Sequence, residues 1–526
     1  MKSATSWLIL ATVLVTGLLA GRWIAESAKA GKPENSRKIA PRLTARPASD
    51  RRPQDKIHER EKGNYQADHE AMDAGALANQ RTVQFSSRDA LERFLAAIEG
   101  KGFAVLGRID KLNLLRIGFL NADELADLLG DEGELGLIYP AETPGQGTVQ
   151  DGAIGFGSAF LEWLGITGDR AGWGDGIKIA VLDTGVGTSS QFSNLIIQEN
   201  WVELPSDPSE QNGHGTAVAS LIASELGLAP DATILDFRIA DDMGSSDTYL
   251  IAEAIIAAAD QGADLINISL GSQGQSSILQ QAVAYALEMG SLIVASAGND
   301  GFDSVSYPAA YENVISVGAI DAAYDHLDFS NTGKVDLTAP GLALTSAWIE
   351  DQTVNFSGTS ASAPIVTGAI AAVMSTQNVS ASSAYETILT YTNEAGAVGS
   401  DVEYGAGIID LGRVERGTTG DYTDLAIASN YFTTTDQGPT VVEVTVENRG
   451  TTQVINAPVT VTTSTGTTQL NITSLPAGKT QTFDIPLSNT DQSIEVQSSV
   501  QVSTGSADQN LSNNARSDTY STADTP

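Results

Sequence analysis

The chain has 526 residues, with 29 Lys/Arg against 65 Asp/Glu, a net charge of −36 and no cysteine. Hydrophobic residues make up 41%, enough for at least one large core, which excludes disorder throughout. The negative charge excludes a basic nucleic-acid footprint and argues against docking to an anionic membrane, and the missing cysteines exclude disulfides, thiolate metal sites and cysteine nucleophiles.

The charge is unevenly placed. Residues 1–62 hold 13 Lys/Arg and 6 Asp/Glu, so a basic leader precedes an acidic body. Residues 1–30 read as a signal peptide: Lys2, then a 14-residue apolar run from Trp7 to Ala20, then the small-x-small site Ala28-Lys29-Ala30. That run is short for a membrane span. An uncleaved N-terminal anchor is the alternative. No second long apolar stretch is expected downstream, so the body is predicted to be secreted, with a periplasmic location less favoured.

Residues 31–79 read as a basic linker punctuated by Pro33, Pro41, Pro47 and Pro53. Residues 80–144 read as a small α/β unit. A strand at Arg81–Phe85 leads to a helix capped by Ser86, with Leu91, Phe94, Leu95 and Ile98 on one face. Phe103 to Phe119, broken at Asp110-Lys111, predicts a hairpin. Asn121 caps a second helix carrying Leu125, Leu128 and Leu129, and Leu135–Tyr139 closes with a strand. The order strand–helix–hairpin–helix–strand is ferredoxin-like.

Residues 145–415 alternate apolar runs of strand length with amphipathic helical segments. Strands are expected at Ile177–Asp183, Thr233–Ile239, Asp264–Leu270, Ser291–Ala297 and Val314–Ala319, with helices such as Thr248–Gln261 and Ser277–Met289 between them. This predicts an α/β, doubly wound parallel sheet whose site lies at the carboxyl ends of the strands. Three residues fit that place. Asp183 ends a strand before Thr184-Gly185, His214 lies in Asn212-Gly-His-Gly-Thr216, and Ser360 opens an apolar helix in Gly358-Thr-Ser-Ala-Ser-Ala-Pro364. A serine hydroxyl needs an adjacent base, and that base needs a carboxylate to fix its tautomer. Of the four histidines, His58 and His69 lie in the leader and His326 lacks the glycine-flanked helix start. Taken singly, each motif has an ordinary reading. Asp183-Thr-Gly185 also resembles half of an aspartic protease site, His214 could be a loop histidine, and Ser360 a helix cap.

Together these segments resemble the subtilisin-like serine proteases, the subtilases. Gly358-Thr-Ser360-x-Ser362-x-Pro364 with Thr367-Gly368, His214-Gly-Thr216 and Asp183-Thr-Gly185 carry the resemblance, in the family's order. It extends over most of residues 170–412. It implies a serine endopeptidase with Asp183, His214 and Ser360 as catalytic residues and Asn299, in Ser296-Ala-Gly-Asn299, as the oxyanion donor. It further implies a cleft walled by Gly244-Ser245-Ser246 and Ser269-Leu270-Gly271, where a peptide substrate adds as a strand. By the same resemblance residues 80–144 are an inhibitory propeptide, an intramolecular partner. Its tail, from Leu137, occupies the cleft and is cut between about residues 140 and 156. A permanent N-terminal domain is the alternative. The chemistry needs no cofactor. The calcium-holding loop found in many subtilases has no room after Ala217–Gly227. Acidic clusters such as Asp241-Asp242 could hold structural calcium or be solvated loops.

Residues 421–520 change to Thr, Ser, Val and Asn, with period-two alternation in Val442–Glu447 and turns such as Leu475-Pro-Ala-Gly478. They predict an all-β, Ig-like sandwich. Asp424-Leu425, Val446–Gly450 and Asn513-Asn514 resemble bacterial adhesion modules of the CARDB-like group. This implies binding to cell-surface or substrate polymers, or a stabilising role alone. An adhesion protein on a former protease scaffold is the competing functional class.

Overall fold

The computed structural model describes residues 66–521, apart from 146, 193–195, 203–210, 418–419, 436–437, 488–492 and 504–506. The signal and most of the linker therefore lie outside the described residues.

The N-terminal unit begins earlier than its sequence predicts. A short helix α1 (His69–Asp73) packs before strand β1 (Gln80–Phe85). Asp68 caps it and also pairs with Arg81, both side chains almost fully buried. Residues 66–79 thus belong to the folded unit rather than to the linker, because a buried ion pair ties them down. Helix α2 (Arg88–Ile98) is capped by Ser87, which accepts from the Ala90 N–H, not by Ser86. The two serines are adjacent, and only backbone angles decide which one caps. Strands β2 (Ala104–Ile109) and β3 (Leu114–Gly118), helix α3 (Ala122–Leu129) and strand β4 (Gly133–Gly136) follow. The sheet order is β2-β3-β1-β4, all antiparallel. Val83, Phe85, Leu91, Phe94, Leu115, Ile117 and Leu125 form its core beneath α2 and α3. The closing strand expected at Leu135–Tyr139 is split. β4 ends at Gly136, and the chain leaves the sheet to form a separate strand β5 (Pro140–Glu142).

The body starts with a short helix α4 (Phe160–Trp163) and continues through β6 (Lys178–Asp183), β7 (Ile196–Asn200), α5 (His214–Ala223), β8 (Thr233–Arg238), β9 (Ser245–Asp247) and α6 (Thr248–Asp260). Then come β10 (Leu265–Ile268), α7 (Ser277–Glu288), β11 (Leu292–Ser296), β12 (Val314–Ile320) and β13 (Leu337–Pro340). A hairpin of β14 (Leu344–Ala347) and β15 (Thr353–Phe356) leads to α8 (Thr359–Gln377), α9 (Ala381–Thr390) and α10 (Leu411–Arg416). Seven parallel strands lie in the order β13-β12-β11-β10-β6-β8-β7. The chain builds from β6 outward to β7 and β8, then crosses to β10 and runs the other way. The strand order therefore switches beside β6.

Alternation along β6 assigns the two faces. Ile179 and Val181 enter one core with α5 and α8; Ala180 and Leu182 enter the other with α6 and α7. Asp183 continues the odd-numbered face and so points toward α5 and α8. Helix α8 corrects one expectation. By length and composition it is apolar enough to cross a membrane, but 89% of its apolar window is buried, because it runs through the centre of the core.

The C-terminal unit is a sandwich. Strands β16 (Leu425–Thr435), β17 (Gly438–Asn448) and β20 (Thr480–Pro486) form one sheet. Strands β18 (Val454–Thr463), β19 (Gly466–Leu475), β21 (Ser493–Val500) and β22 (Ala515–Ser521) form the other. Val442, Val444 and Val446 face inward, as period-two alternation requires. The sandwich is joined to the body by buried charge. Glu447 takes Arg413 of α10 at 2.6 Å and Arg449 at 2.8 Å, and accepts from the Glu394 N–H at 3.0 Å. Burial alone would raise the Glu447 pKa; the two arginines reverse this and hold it below the ordinary carboxylate range.

Candidate active site

Three helix or strand ends carry the residues singled out in the sequence; Asp183 and His214 are paired, and Ser360 bonds Ser269. His214 is the first residue of α5 and Ser360 the second of α8, while Asp183 ends β6. Asp183 Oδ1 lies 2.8 Å from His214 Nδ1 and also accepts the Thr184 N–H at 2.7 Å. The Asp183 side chain is fully buried, and Oδ2 has no partner among the described residues. The His214 ring stands edge-on to Phe356, and its buried Nε2 has no partner among the described residues. An imidazole held at Nδ1 and open at Nε2 is set to accept a proton there. The turn that brings these residues together needs glycine at 215: a Cβ there would lie 2.6 Å from the Gly185 carbonyl oxygen.

Ser360 owes its local geometry to Pro364. In a regular helix the N–H at position 364 would bond the Ser360 carbonyl, and proline has none. The Ser269 hydroxyl bonds that carbonyl instead, at 3.2 Å, and Ser360 Oγ donates back to the Ser269 carbonyl at 3.2 Å. Asn299 sits opposite. Its Oδ1 accepts the Thr359 N–H at 2.9 Å and the Thr359 hydroxyl at 2.7 Å, which leaves Nδ2 to donate elsewhere. Gly358, at φ 123°, makes room: a Cβ there would stand 2.6 Å from Asn299 Nδ2.

The segments predicted as cleft walls enclose β5. Ala141 pairs with Ser246 and Glu142 with Ser245 in antiparallel register. Glu142 and Gly271 exchange N–H···O bonds at 2.9 and 3.0 Å, and the Thr143 N–H donates to the Gly244 carbonyl at 2.9 Å. Leu270 is buried beneath this wall. Gly271 is pressed against Ser306, where a Cβ would meet another at 2.8 Å. Three residues beyond the strand, Asn299 Nδ2 donates to the Gly145 carbonyl at 2.9 Å. A cavity of about 360 Å³ lies beside it, lined in part by Pro144, Gly145, Gly298 and Asp300. On the outer side, Arg116 of β3 bonds both oxygens of Asp247, and Lys111 pairs with Asp260. The N-terminal unit is therefore clamped to the two ends of α6.

One acidic group was not singled out in the sequence. Asp236 of β8 is buried beside Val181 in the parallel register, on the same face as Asp183. Its Oδ2 accepts the Val186 N–H at 2.9 Å, and Oδ1 has no partner among the described residues. Burial raises its pKa to about 7, opposed by that hydrogen bond and reinforced by Asp183. The visible signal was a carboxylate inside the apolar strand Thr233–Arg238. Asp242, named with Asp241 as a possible cation ligand, instead pairs with Arg238 at 3.0 Å, while Asp241 caps the turn to Ser245. His326 packs on Tyr404, away from these contacts, and burial lowers its pKa to about 4.

The chain is similar in sequence to known proteins. Residues 174–407 match the model of the Subtilase family. The chain is similar to the Thermophilic serine proteinase of Bacillus sp. (strain AK1), 36% identical over 56% of this chain and 77% of that protein. It is also similar to Subtilisin Savinase of Lederbergia lenta, 37% identical over 45% of this chain and 90% of that protein. Thermitase of Thermoactinomyces vulgaris is 40% identical over 40% of this chain and 78% of that protein.

Proposed function

The chain belongs to the subtilase family of serine endopeptidases, and from that premise we propose that it is an exported zymogen whose first substrate is its own peptide bond after Gly145. Asp183, His214 and Ser360 carry the chemistry, and residues up to Gly145 are the inhibitory propeptide. The observation that supports this reading is the single hydrogen bond from Asn299 to the Gly145 carbonyl, three residues beyond a strand lying between Ser245-Ser246 and Gly271. A substrate backbone held this way offers one carbonyl carbon to one hydroxyl.

In the reaction the Ser360 hydroxyl leaves the Ser269 carbonyl and gives its proton to His214 Nε2. Its oxygen adds to the Gly145 carbonyl carbon. Asp183 keeps the Nδ1–H tautomer and stabilises the imidazolium. The oxyanion gains from the Asn299 amide and from a first-turn N–H of α8, which has no intrahelical acceptor. The imidazolium returns the proton to the leaving nitrogen as the carbon–nitrogen bond breaks. Water, deprotonated by His214, then hydrolyses the acyl-enzyme and restores Ser360. The same steps cut other peptides once the tail leaves. A fluorophosphonate probe tests the assignment: it should label the processed protein at Ser360 and leave Ser360→Ala unlabelled. Labelling that persists in Ser360→Ala would overturn it.

A further inference from the structure

The body is poor in cations. After residue 62 the chain has 16 Lys/Arg against 59 Asp/Glu. Four of those 16, Arg413, Arg416, Arg449 and Lys479, nonetheless line one cavity of about 540 Å³ between α10 and the sandwich, and none of its described lining residues is acidic. In so acidic a protein, this convergence is opposite to what composition supplies.

Structural duties account for part of the cluster. Arg413 Nη1 bonds the Thr392 carbonyl, Asn393 and Glu447. Arg449 bonds Glu447 through Nε and reaches the Glu394 carbonyl through Nη2. Arg416 lies over the Tyr422 ring and 3.8 Å from Asp410. Cations at the end of α10 also complement its C-terminal carbonyls. These duties leave two facts over. One carboxylate, Glu447, stands between two buried arginines. Arg413 is 3% exposed, yet its Nε–H has no acceptor among the described residues, a costly arrangement for a buried donor. Lys479, exposed at the rim, adds a further positive charge.

We infer that this seam cavity is a binding site for a tetrahedral oxyanion, a sulfate or phosphate group, held by Arg413 and Arg449 inside and by Arg416 and Lys479 at the mouth. Guanidinium groups meet such oxygens with paired, charge-assisted hydrogen bonds. The anion would satisfy charge on both sides of the seam and so tighten the docking of the sandwich on the body.

The test uses the full chain carrying Ser360→Ala, which avoids self-digestion. Binding of inorganic sulfate is followed by isothermal titration calorimetry, with sodium chloride holding ionic strength constant. A second arm replaces sulfate by dextran sulfate, whose groups are fixed to a polymer. Sulfate stabilises most proteins by exclusion from their surface, an effect that does not saturate and that point variants share. A specific site gives a saturating isotherm, and Arg416→Gln/Lys479→Gln should raise the half-saturating concentration by about tenfold or more, as expected for two lost ionic contacts. Lys479→Gln alone, at an exposed position, should give a smaller shift and guards against misfolding of the double variant. Saturation by inorganic sulfate assigns a free anion; saturation by dextran sulfate alone assigns a polymer-borne one. A non-saturating response in both arms, or the same saturation in both variants, would overturn the site.

Discussion

The side-chain amide of Asn299 donates to the carbonyl oxygen of Gly145, 154 positions earlier in the chain, at 2.9 Å. Of the tail carbonyls, this is the one Asn299 singles out. The bond that follows it is therefore the one expected to break. N-terminal sequencing of the mature protein should begin at residue 146. A start before residue 140 would show that the strand register seen here is not the one used for cleavage.

Asn299 is bonded to both the tail and Thr359, so its removal separates binding from chemistry. Asn299→Ala should lower kcat by about 10²–10³-fold with little change in KM, a magnitude established by removing such a donor in a subtilisin. Steady-state kinetics on a peptide amide substrate checks it. An equal rise in KM would instead make Asn299 a ground-state binding residue.

Glu447 joins the sandwich to the body by bracketing Arg413 and Arg449. Glu447→Gln leaves two buried arginines without their counter-charge. The expected loss is about 3–5 kcal/mol, read by denaturant unfolding as a lower midpoint, with the sandwich separating from the body. A change under about 1 kcal/mol would mean that the pair contributes little net stability.

Asp236 makes a prediction about pH. Its carboxyl is raised from 3.8 to about 7 in the folded state, so the folded protein holds a proton that the unfolded chain releases earlier. The associated stability is complete below the unfolded value and is lost as pH rises through about 7. Asp236→Asn stays neutral throughout. Between pH 4 and 8 it should gain stability relative to the unsubstituted protein, on the order of 2–4 kcal/mol. Parallel stability–pH curves for the two proteins would show that Asp236 does not titrate in this window.

Local chemistry made much of this legible. The period of β6 and the strand ends placed Asp183, and glycine-flanked helix starts placed His214 and Ser360. Asn121 caps α3 as its spacing requires, accepting from Asp123 and Glu124. Long-range pairing was not legible. Nothing in the spacing of Arg413, Glu447 and Arg449 shows that they meet, because the seam is made by packing two units. The end of β4 at Gly136, short of Tyr139, and the new cleft strand from Pro140 likewise depend on partners, β1 for one and β9 for the other. Ser87 rather than Ser86 caps α2 because of a backbone turn that either serine could have occupied.

Ser360 is the residue proposed to cut the chain's own bond after Gly145. Intact-mass measurement of the unsubstituted protein and of Ser360→Ala, both made in a secreting host lacking other proteases, tests it most directly. The unsubstituted protein should lose residues up to Gly145 and become active, while Ser360→Ala keeps residues 66–145 covalently attached. An active protein that retains those residues, or a Ser360→Ala protein cut after Gly145, would contradict it.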